Sequence, residues 1–378
     1  MGRSNRRSRR AFFTRAPGAL VALAAQMPRV GPSARKETRD PDIANVKQFG
    51  AVGNGVADDT GAIQSAINAT PPGGGIILFP VGTYRVIRSL IGKGGTLLQG
   101  MSRAFTTILY TGTAPISMLL YDTAGHFAVR DISFKTSQGG HASVQLHIRN
   151  SVYFDLQNIT SWVGGTKGVA NNQIIGILIE STATGFVPPR GFGRISNFLY
   201  TPPGGAAASG SRGIELRGIP GQATENMVID GWGNIEDAEV GILFNVAYHC
   251  VIDGSYFLQG NTTGIRFTSS QYNIVKRPRL AASVSHIDID AKSFDNVIIQ
   301  PSFFSPPSFG NNHGVRTVII SSGDLDVPTD LTSQVRAGSL GVGNAAPGST
   351  LGSVKRKIEV FDANGVSLGF VPVYDAIA

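Results

Sequence analysis

The segment that decides the fold runs from residue 46 to residue 84. It reads Val46-Lys-Gln-Phe-Gly50-Ala-Val-Gly-Asn-Gly55-Val-Ala-Asp-Asp-Thr60-Gly-Ala-Ile-Gln-Ser65-Ala-Ile-Asn-Ala-Thr70-Pro-Pro-Gly-Gly-Gly75-Ile-Ile-Leu-Phe-Pro80-Val-Gly-Thr-Tyr84. Three glycines at the start permit a backbone with positive φ: Gly50, Gly53 and Gly55. Asp58 and Asp59 follow, at a position where a carboxylate accepts the free N–H groups of a first helical turn.

A short amphipathic helix is predicted after Asp59. Its apolar stripe has helical spacing and comprises Ala62, Ile63, Ala66 and Ile67. The Pro71-Pro72-Gly73 turn ends the helix, and strands are predicted at 76–79 and 83–87. A single amphipathic helix followed only by strands is suited to cover the open end of a strand stack, where core and unpaired backbone are otherwise exposed.

This segment resembles the N-terminal segment of the pectate-lyase-like superfamily of right-handed parallel β-helices. The matching motifs are Phe49-Gly50-Ala51-Val52-Gly53-Asn54-Gly55, Asp58-Asp59-Thr60, Ala62-Ile63-Gln64-Ala66-Ile67 and Phe79-Pro80-Gly82-Thr83-Tyr84. Members include polygalacturonases, pectate lyases, rhamnogalacturonases and phage tailspike depolymerases. The resemblance therefore implies a fold and a polysaccharide substrate class, but not one reaction. The Asp58-Asp59 pair is interpreted as a cap and turn rather than as a catalytic dyad.

Later parts of the chain repeat with a constant period. Segments starting at Asn226, His249, Tyr272 and Asp295 are each 23 residues apart. A second series of strands runs beside them, and it predicts two inward columns: Ile214, Ile242, Ile265 and Ile287, and Leu216, Phe244, Phe267 and Ile289. Short strands with this period indicate one coil of a solenoid, and the coils must stack because none can bury its apolar side alone.

The predicted fold is all-β: a right-handed single-stranded parallel β-helix with an N-terminal capping helix and a small C-terminal β-hairpin tail. Residues 1–25 are predicted to be a twin-arginine export signal, 26–42 a linker, 43–322 the β-helix and 323–378 the C-terminal cap or tail. Gly/Pro/Ala-rich insertions at 164–172 and 186–211 are expected either to wall a groove or to be plain surface loops.

Composition narrows the possible partners. The net charge of +8 includes six arginines within residues 1–25 and falls to +2 without them, so charge does not imply a nucleic-acid partner. No apolar run is long enough for a membrane span. The single Cys250 is interpreted as a small core residue. We expect a secreted or periplasmic protein, and the C-terminal tail is either a cap or a homo-oligomerisation contact.

Stacked coils place equivalent side chains about 4.8 Å apart, so the repeat alignment maps the outer surface. Asp230, Asp253 and Lys276 are predicted to form one outward column. Two carboxylates this close would raise one pKa, which suits the general acid of a glycosidase. Asp230 and Asp253 are therefore candidate catalytic residues, with His249 as a helper. Their alternative role is that of turn residues in Asp-Gly corners.

A second group of residues is predicted to bind substrate: Asp237, Glu239, Arg266 and Lys276. For Asp237 and Glu239, the alternative role is that of solvated loop acids. Tyr200, Trp162 and Trp232 are candidates for stacking on sugar rings, with core packing as the alternative. His126 and His141 match no known motif and are interpreted as surface residues.

The polygalacturonase signatures Asn-Thr-Asp, Gly-His-Gly and Arg-Ile-Lys are absent from the sequence. Asp288, Asp290 and Arg266 form only a thin version of the calcium site that a pectate lyase needs. We therefore expect no metal site and no cofactor. The predicted function is binding, and in the enzymatic interpretation cleavage, of an acidic polysaccharide such as pectin by a glycoside hydrolase-like protein. A non-catalytic surface or tail-fibre-like adhesin and a polysaccharide lyase are the alternatives.

Overall fold

The parallel β-helix winds through strands on three faces, which we call face 1, face 2 and face 3. The computed structural model describes residues 42–137, 143–164, 173–182, 191–202, 208–304, 313–320, 354–361 and 367–374. The predicted export signal, most of the predicted linker, all but the first residue of the insertion at 164–172, and residues 186–190 and 203–207 of the second insertion lie outside the described residues.

Face 1 comprises β1 (Ile43–Asn45), β3 (Gly75–Phe79), β6 (Thr96–Gly100), β9 (Gly125–Arg130), β12 (Val152–Gln157), β15 (Gly191–Ser196), the first parts of β19 (Val228–Glu236) and β22 (Val251–Gln259), β24 (Ile274–Lys276), β27 (Val297–Ile299) and β29 (Val318–Ile320), with β18 (Thr224–Glu225) and β21 (Ala247–Tyr248) at its leading corner.

Face 2 comprises β2 (Asn54–Asp58), β4 (Gly82–Val86), β7 (Thr106–Tyr110), β10 (Ser133–Thr136), β13 (Thr160–Val163), β16 (Leu199–Thr201), the last parts of β19 and β22, β25 (Arg279–Ala281) and β28 (Ser302–Phe303). Face 3 comprises β5 (Leu90–Ile91), β8 (Ser117–Asp122), β11 (Ser143–Arg149), β14 (Ile174–Glu180), β17 (Ala208–Arg217), β20 (Ala238–Asn245), β23 (Thr263–Thr268) and β26 (Ser285–Ile289). Neighbouring strands on each face pair in parallel.

The predicted period and both inward columns are confirmed. On face 1, Val228, Val251, Ile274 and Val297 are successive register partners. On face 3, the two predicted columns are in register from β17 to β26, and all eight side chains are fully buried. Because a residue is inward only if its partner one coil away is also inward, the apolar repeat fixes how the coils stack.

The predicted capping helix is α1 (Thr60–Asn68), preceded by a 3₁₀ helix at Val46–Phe49. Its side chains Ile63, Ala66 and Ile67 are buried, and it contacts the first coil through β1, β4 and β5. A helix that buries one stripe against the first coil removes the exposed end of the stack from water.

Of the two aspartates before α1, Asp58 acts as predicted and Asp59 does not. Asp58 Oδ1 accepts a hydrogen bond from Thr60 N at 3.1 Å. Asp59 is the N-cap residue, but its side chain makes no cap hydrogen bond. Its buried carboxylate instead accepts from Val52 N at 2.6 Å and Gly53 N at 3.0 Å. The preceding loop provides these donors because Gly50, Gly53 and Gly55 all have positive φ, as predicted.

The C-terminal tail contains the predicted hairpin. β30 (Val354–Phe361) and β31 (Ser367–Tyr374) pair antiparallel. Its role as a cap or as an oligomerisation contact stays a prediction. Among the helices that the structure describes, none is long and apolar enough to cross a membrane.

Buried asparagines link successive coils at the corner that leads into face 1. Asn273 Oδ1 accepts from Cys250 N at 2.9 Å, and Asn273 Nδ2 donates to Ala247 O at 2.9 Å. Asn273 N in turn donates to Asn296 Oδ1 at 3.1 Å. These side chains satisfy backbone groups that no water reaches, which a buried corner requires.

We expect Asn273→Ala to destabilise the fold, because it leaves the buried Cys250 N–H without this acceptor, while the Ala247 C=O keeps the Gln271 N–H as a donor at 3.2 Å. The cost is about 1–3 kcal/mol for the unsatisfied N–H. Thermal unfolding of the variant measures it, with exposed Lys292→Ala as the control. Equal melting temperatures of the wild-type protein and Asn273→Ala would contradict the role assigned to this side chain.

Candidate functional site

The structure places the predicted acid pair on the outside of face 1. Asp230 in β19 and Asp253 in β22 are direct register partners, and Lys276 in β24 continues the column. Each carboxylate already has cationic partners. Arg194 Nε donates to Asp230 at 2.8 Å, while Lys276 Nζ and an Arg277 Nη donate to Asp253 at 2.8 and 3.0 Å.

The ion pairs of Asp253 oppose the raised pKa that a general acid would need. Hydrogen bonds from Lys276 and then Arg277 hold the pKa of Asp253 below its ordinary value. The expected upward shift is therefore wrong for Asp253, because its nearest charges are cations rather than the neighbouring acid. Lys276 correspondingly serves Asp253 as an ion-pair partner in this structure.

His249 lies in the turn that enters β22 and is exposed, with a positive φ of 54°. Its ring stacks on Tyr272 one coil later, with the ring centroids 5.0 Å apart. The imidazole of His249 thus stacks on an aromatic ring, and no contact with either aspartate is seen among the described residues. Its predicted role beside Asp230 and Asp253 stays a prediction.

The predicted binding residues divide between two faces. Asp237 lies in the turn between β19 and β20. Glu239 and Arg266 lie on face 3, where Arg212 Nη1 donates to Glu239 at 3.0 Å and an Arg266 Nη lies 3.7 Å from it. Burial alone would raise the pKa of Glu239, but the Gly210 N–H and Arg212 together lower it. The seven predicted residues therefore do not form one site.

A group of residues that sequence reasoning did not select lies on the outside of face 3, and we call it the face 3 cluster. Its members are Ser117, His147, Glu180, Glu215 and Arg217. Ser117 Oγ lies 2.8 Å from His147 Nδ1, and His147 Nε2 lies 3.0 Å from Glu180 Oε2. Arg217 bonds Glu180 Oε1 at 3.1 Å and both oxygens of Glu215 at 2.7 and 2.9 Å.

The electrostatics of the cluster favour an ionised Glu180. The hydrogen bond from His147 is the largest influence and lowers the pKa of Glu180, and Arg217 adds to this against the opposing effect of burial. An ionised carboxylate only accepts hydrogen bonds, so His147 Nε2 is assigned as the N–H that donates to it. His147 Nδ1 is then free to accept the Ser117 hydroxyl proton. This is the arrangement of an oriented general base.

Two arginines lie beside His147, and each is already paired with acids: Arg149 with Asp122 at 2.6 Å, and Arg217 with Glu180 and Glu215. Arg149 in β11, Glu180 in β14 and Arg217 in β17 are successive register partners in the adjacent outward column. The Arg149 and Arg217 side chains are 38% and 35% exposed, whereas His147 is 9% exposed. An anionic ligand would therefore meet the guanidinium groups before the imidazole.

Within the described ranges, no three His, Cys, Asp or Glu side chains are grouped so that they could hold a metal ion.

The sequence matches a known family over most of the β-helix. The model of the family described as rhamnogalacturonase A/epimerase, pectate lyase-like matches residues 43–293. The chain belongs to this family. The resemblance noted in the first segment is thereby confirmed, and it extends through the repeats to the end of β26.

Individual relatives match over shorter segments. The mannuronan C5-epimerase AlgE4 of Azotobacter vinelandii is 36% identical over 103 residues, which are 24% of this chain and 19% of the epimerase. The plasmin and fibronectin-binding protein A of Streptococcus pneumoniae is 45% identical over 67 residues, 17% of this chain and 9% of that protein. The chain thus spans a fifth or less of the length of these relatives.

A solved structure with a similar fold is that of PfbA, a surface adhesin of Streptococcus pneumoniae. It has a TM-score of 0.53 and 16% sequence identity, and the match covers 73% of this chain and 77% of PfbA. At this identity the likeness concerns the fold alone.

The aromatic candidates of this family member divide by exposure. Tyr200 is buried and its hydroxyl donates to Ile174 O at 3.0 Å, so its predicted sugar contact is wrong. Trp162 and Trp232 are 45% and 52% exposed. Arg103 lies over the Trp232 ring, 4.8 Å from its centroid.

A signal for the face 3 cluster was present in the sequence, in the alternation of Leu146-His147-Ile148-Arg149. This alternation places His147 and Arg149 on one side of a strand. Pairing them with Glu180 and Arg217 required the register between coils. That register was hidden because the segments between these strands differ in length.

We expect the pH dependence of stability to reveal the ionised Glu180. Because its folded pKa is lowered, its contribution is complete above the unfolded value of about 4.3 and is lost as pH falls through the folded pKa. Thermal unfolding between pH 7 and pH 3 should therefore show a smaller acid destabilisation for Glu180→Gln than for the wild-type protein. Glu236→Gln on face 2 is the control, and an unchanged slope in Glu180→Gln would contradict the assignment.

Proposed function

We propose that this protein binds an acidic polysaccharide along face 3 and removes the proton from the sugar carbon next to the carboxylate. The observation that carries the proposal is the chain of hydrogen bonds from Ser117 through His147 to Glu180. It supplies a base whose ring orientation is held from both sides. Extraction of a proton next to a carboxylate is the first step of both uronate epimerisation and uronate elimination.

The proposed step gives roles to four members of the cluster and to the neighbouring Arg149. The Nδ1 atom of His147 receives the proton, either directly or through the Ser117 hydroxyl, which passes its own proton to Nδ1 and takes the substrate proton. Glu180 stabilises the imidazolium that forms. Arg217 and Arg149 lie beside His147 and are placed to stabilise the negative charge that develops on the sugar carboxylate.

The fate of the resulting carbanion decides the product. Return of a proton to the opposite side of the carbon gives an epimer, and departure of the neighbouring glycosidic oxygen gives an unsaturated sugar. The epimerases in the family description and the similarity to AlgE4, a mannuronan C5-epimerase, support proton abstraction from this carbon. An acidic polysaccharide as the polymer is part of this proposal. An extracellular or periplasmic site of action is also part of it, since residues 1–25 are predicted to direct export.

The test uses polymannuronate, polyguluronate and polygalacturonate in D₂O. Deuterium at the carbon next to the carboxylate is measured by NMR, and unsaturated ends are measured by ultraviolet absorbance. We expect one polymer to incorporate deuterium or to be cleaved, and His147→Gln to slow this about a hundredfold or more. His249→Gln is the matched control and should keep the wild-type rate. Wild-type activity in His147→Gln would refute the assignment of the base.

Glycoside hydrolysis at Asp230 and Asp253 is the second candidate, favoured by their direct register pairing on adjacent strands. It predicts new reducing ends without deuterium exchange or unsaturation, and their loss in Asp253→Asn. Binding of a polymer without any of these products would instead favour the non-catalytic adhesin.

A further inference from the structure

A column of left-handed backbone runs along the corner between face 3 and face 1. Its members occupy equivalent register positions at or just before the start of successive face 1 strands, and all have positive φ: Gly74, Gly95, His126, Tyr153, Phe192, Asn226, His249, Tyr272, Asp295 and Arg316. Positive φ turns these side chains outward at the corner, although it is disfavoured for bulky residues.

Three consecutive members of the column are aromatic and stack on one another. The rings of His126 and Tyr153 are 4.9 Å apart, and those of Tyr153 and Phe192 are 5.7 Å apart. Tyr153 and Phe192 are 52% and 40% exposed, and His126 is exposed as well. These rings form an aromatic surface on the outside of the solenoid, separate from the core.

The stack ends in a step at His126. One side of its imidazole is covered by Tyr153, and the two preceding positions of the column are Gly95 and Gly74, which have no side chains. A pocket of about 430 Å³ opens at this step, lined among others by Gly95, Leu97, His126 and Arg130. This volume lies within the range of about 300–1,000 Å³ that is typical of small-ligand sites.

The pocket combines an apolar floor with one charged group. Ile76, Leu97 and Ala128 are register partners on the outside of face 1 and line it together. Of the described residues that line the pocket, Arg130 is the one with a charged side chain. Its side chain is 40% exposed, and its Nε and an Nη donate to Asp155 at 3.2 and 2.7 Å.

We propose that this step, which we call the His126 step, is a binding subsite for one carboxylated sugar residue. The apolar C–H side of a pyranose ring packs on the imidazole and on the Ile76–Leu97–Ala128 floor, while its carboxylate meets the Arg130 guanidinium. A neutral sugar would pack on the apolar floor but would make no ion pair with Arg130. An apolar peptide would likewise offer Arg130 no acidic group in addition to Asp155. An acidic sugar matches both halves of the pocket.

The location of the subsite suggests how it relates to the face 3 cluster. His126 is the second residue of β9, directly after the short turn from β8, and β8 carries Ser117 at its start. A polysaccharide crossing face 3 along its strands would reach this corner of the same coil. The inference rests on the proposed function for the class of polymer, and a second contact on one chain raises the overall affinity without altering the chemical step.

The test measures binding to the full chain by isothermal titration calorimetry, with tri-galacturonate and the neutral galactose trisaccharide as probes. We expect His126→Ala to weaken tri-galacturonate binding about tenfold. Tyr272→Ala, which removes an exposed ring from the same column in a later coil, should stay within about twofold of the wild type. Leu97→Gln is a second variant of the pocket floor and should weaken binding in the same direction.

Two variants, each of which removes one charge of the Arg130–Asp155 pair, test the carboxylate contact. Arg130→Gln should abolish the preference for tri-galacturonate over the neutral trisaccharide, whereas Asp155→Asn should keep it. Loss of turnover in His147→Gln and loss of tri-galacturonate binding in His126→Ala are separate results, since the two residues lie on different faces and are measured by different readouts. Absence of tri-galacturonate binding by the wild type, or wild-type affinity in folded His126→Ala and Leu97→Gln, would overturn the inference.

Discussion

The parallel register between successive coils is the constraint on which the rest of the structure depends. Because each strand bonds to the equivalent strand one coil away, a position that faces inward in one coil faces inward in the next. The isoleucine column from Ile214 to Ile287 is the direct consequence. The corners follow the same register, since the buried side-chain amide of Asn273 bonds backbone groups of the preceding coil.

The same register governs the chemistry of the outer surface. Outward side chains lie about 4.8 Å from their neighbours, so an acid in one coil readily meets a base in the next. Asp253 with Lys276 and Glu180 with His147 both have lowered carboxyl pKa values for this reason. Carboxylates of this kind are ionised acceptors rather than proton donors. Acid–base chemistry on this surface therefore falls to the histidine that such a carboxylate orients.

Sequence reasoning was successful where residues repeat and incomplete where they do not. The column of Asp230, Asp253 and Lys276 was predicted because the coils after residue 226 have a constant length. The pairing of these acids with Arg194 and Arg277 was not predicted, because the two arginines lie outside that column. Asp59 was assigned to the helix cap, but its carboxylate bonds the glycine loop, because the loop folds back over it.

By itself, the sequence determined the solenoid, its capping helix and its inward columns, because these follow from local motifs and from a period that is visible in the chain. The tertiary structure alone decided which polar side chains meet. Ser117 and His147 are 30 residues apart, and His147 and Glu180 are 33 apart, so neither contact follows the 23-residue period. Their meeting depends on how the unequal connections between strands close each coil, and only the folded chain determines that.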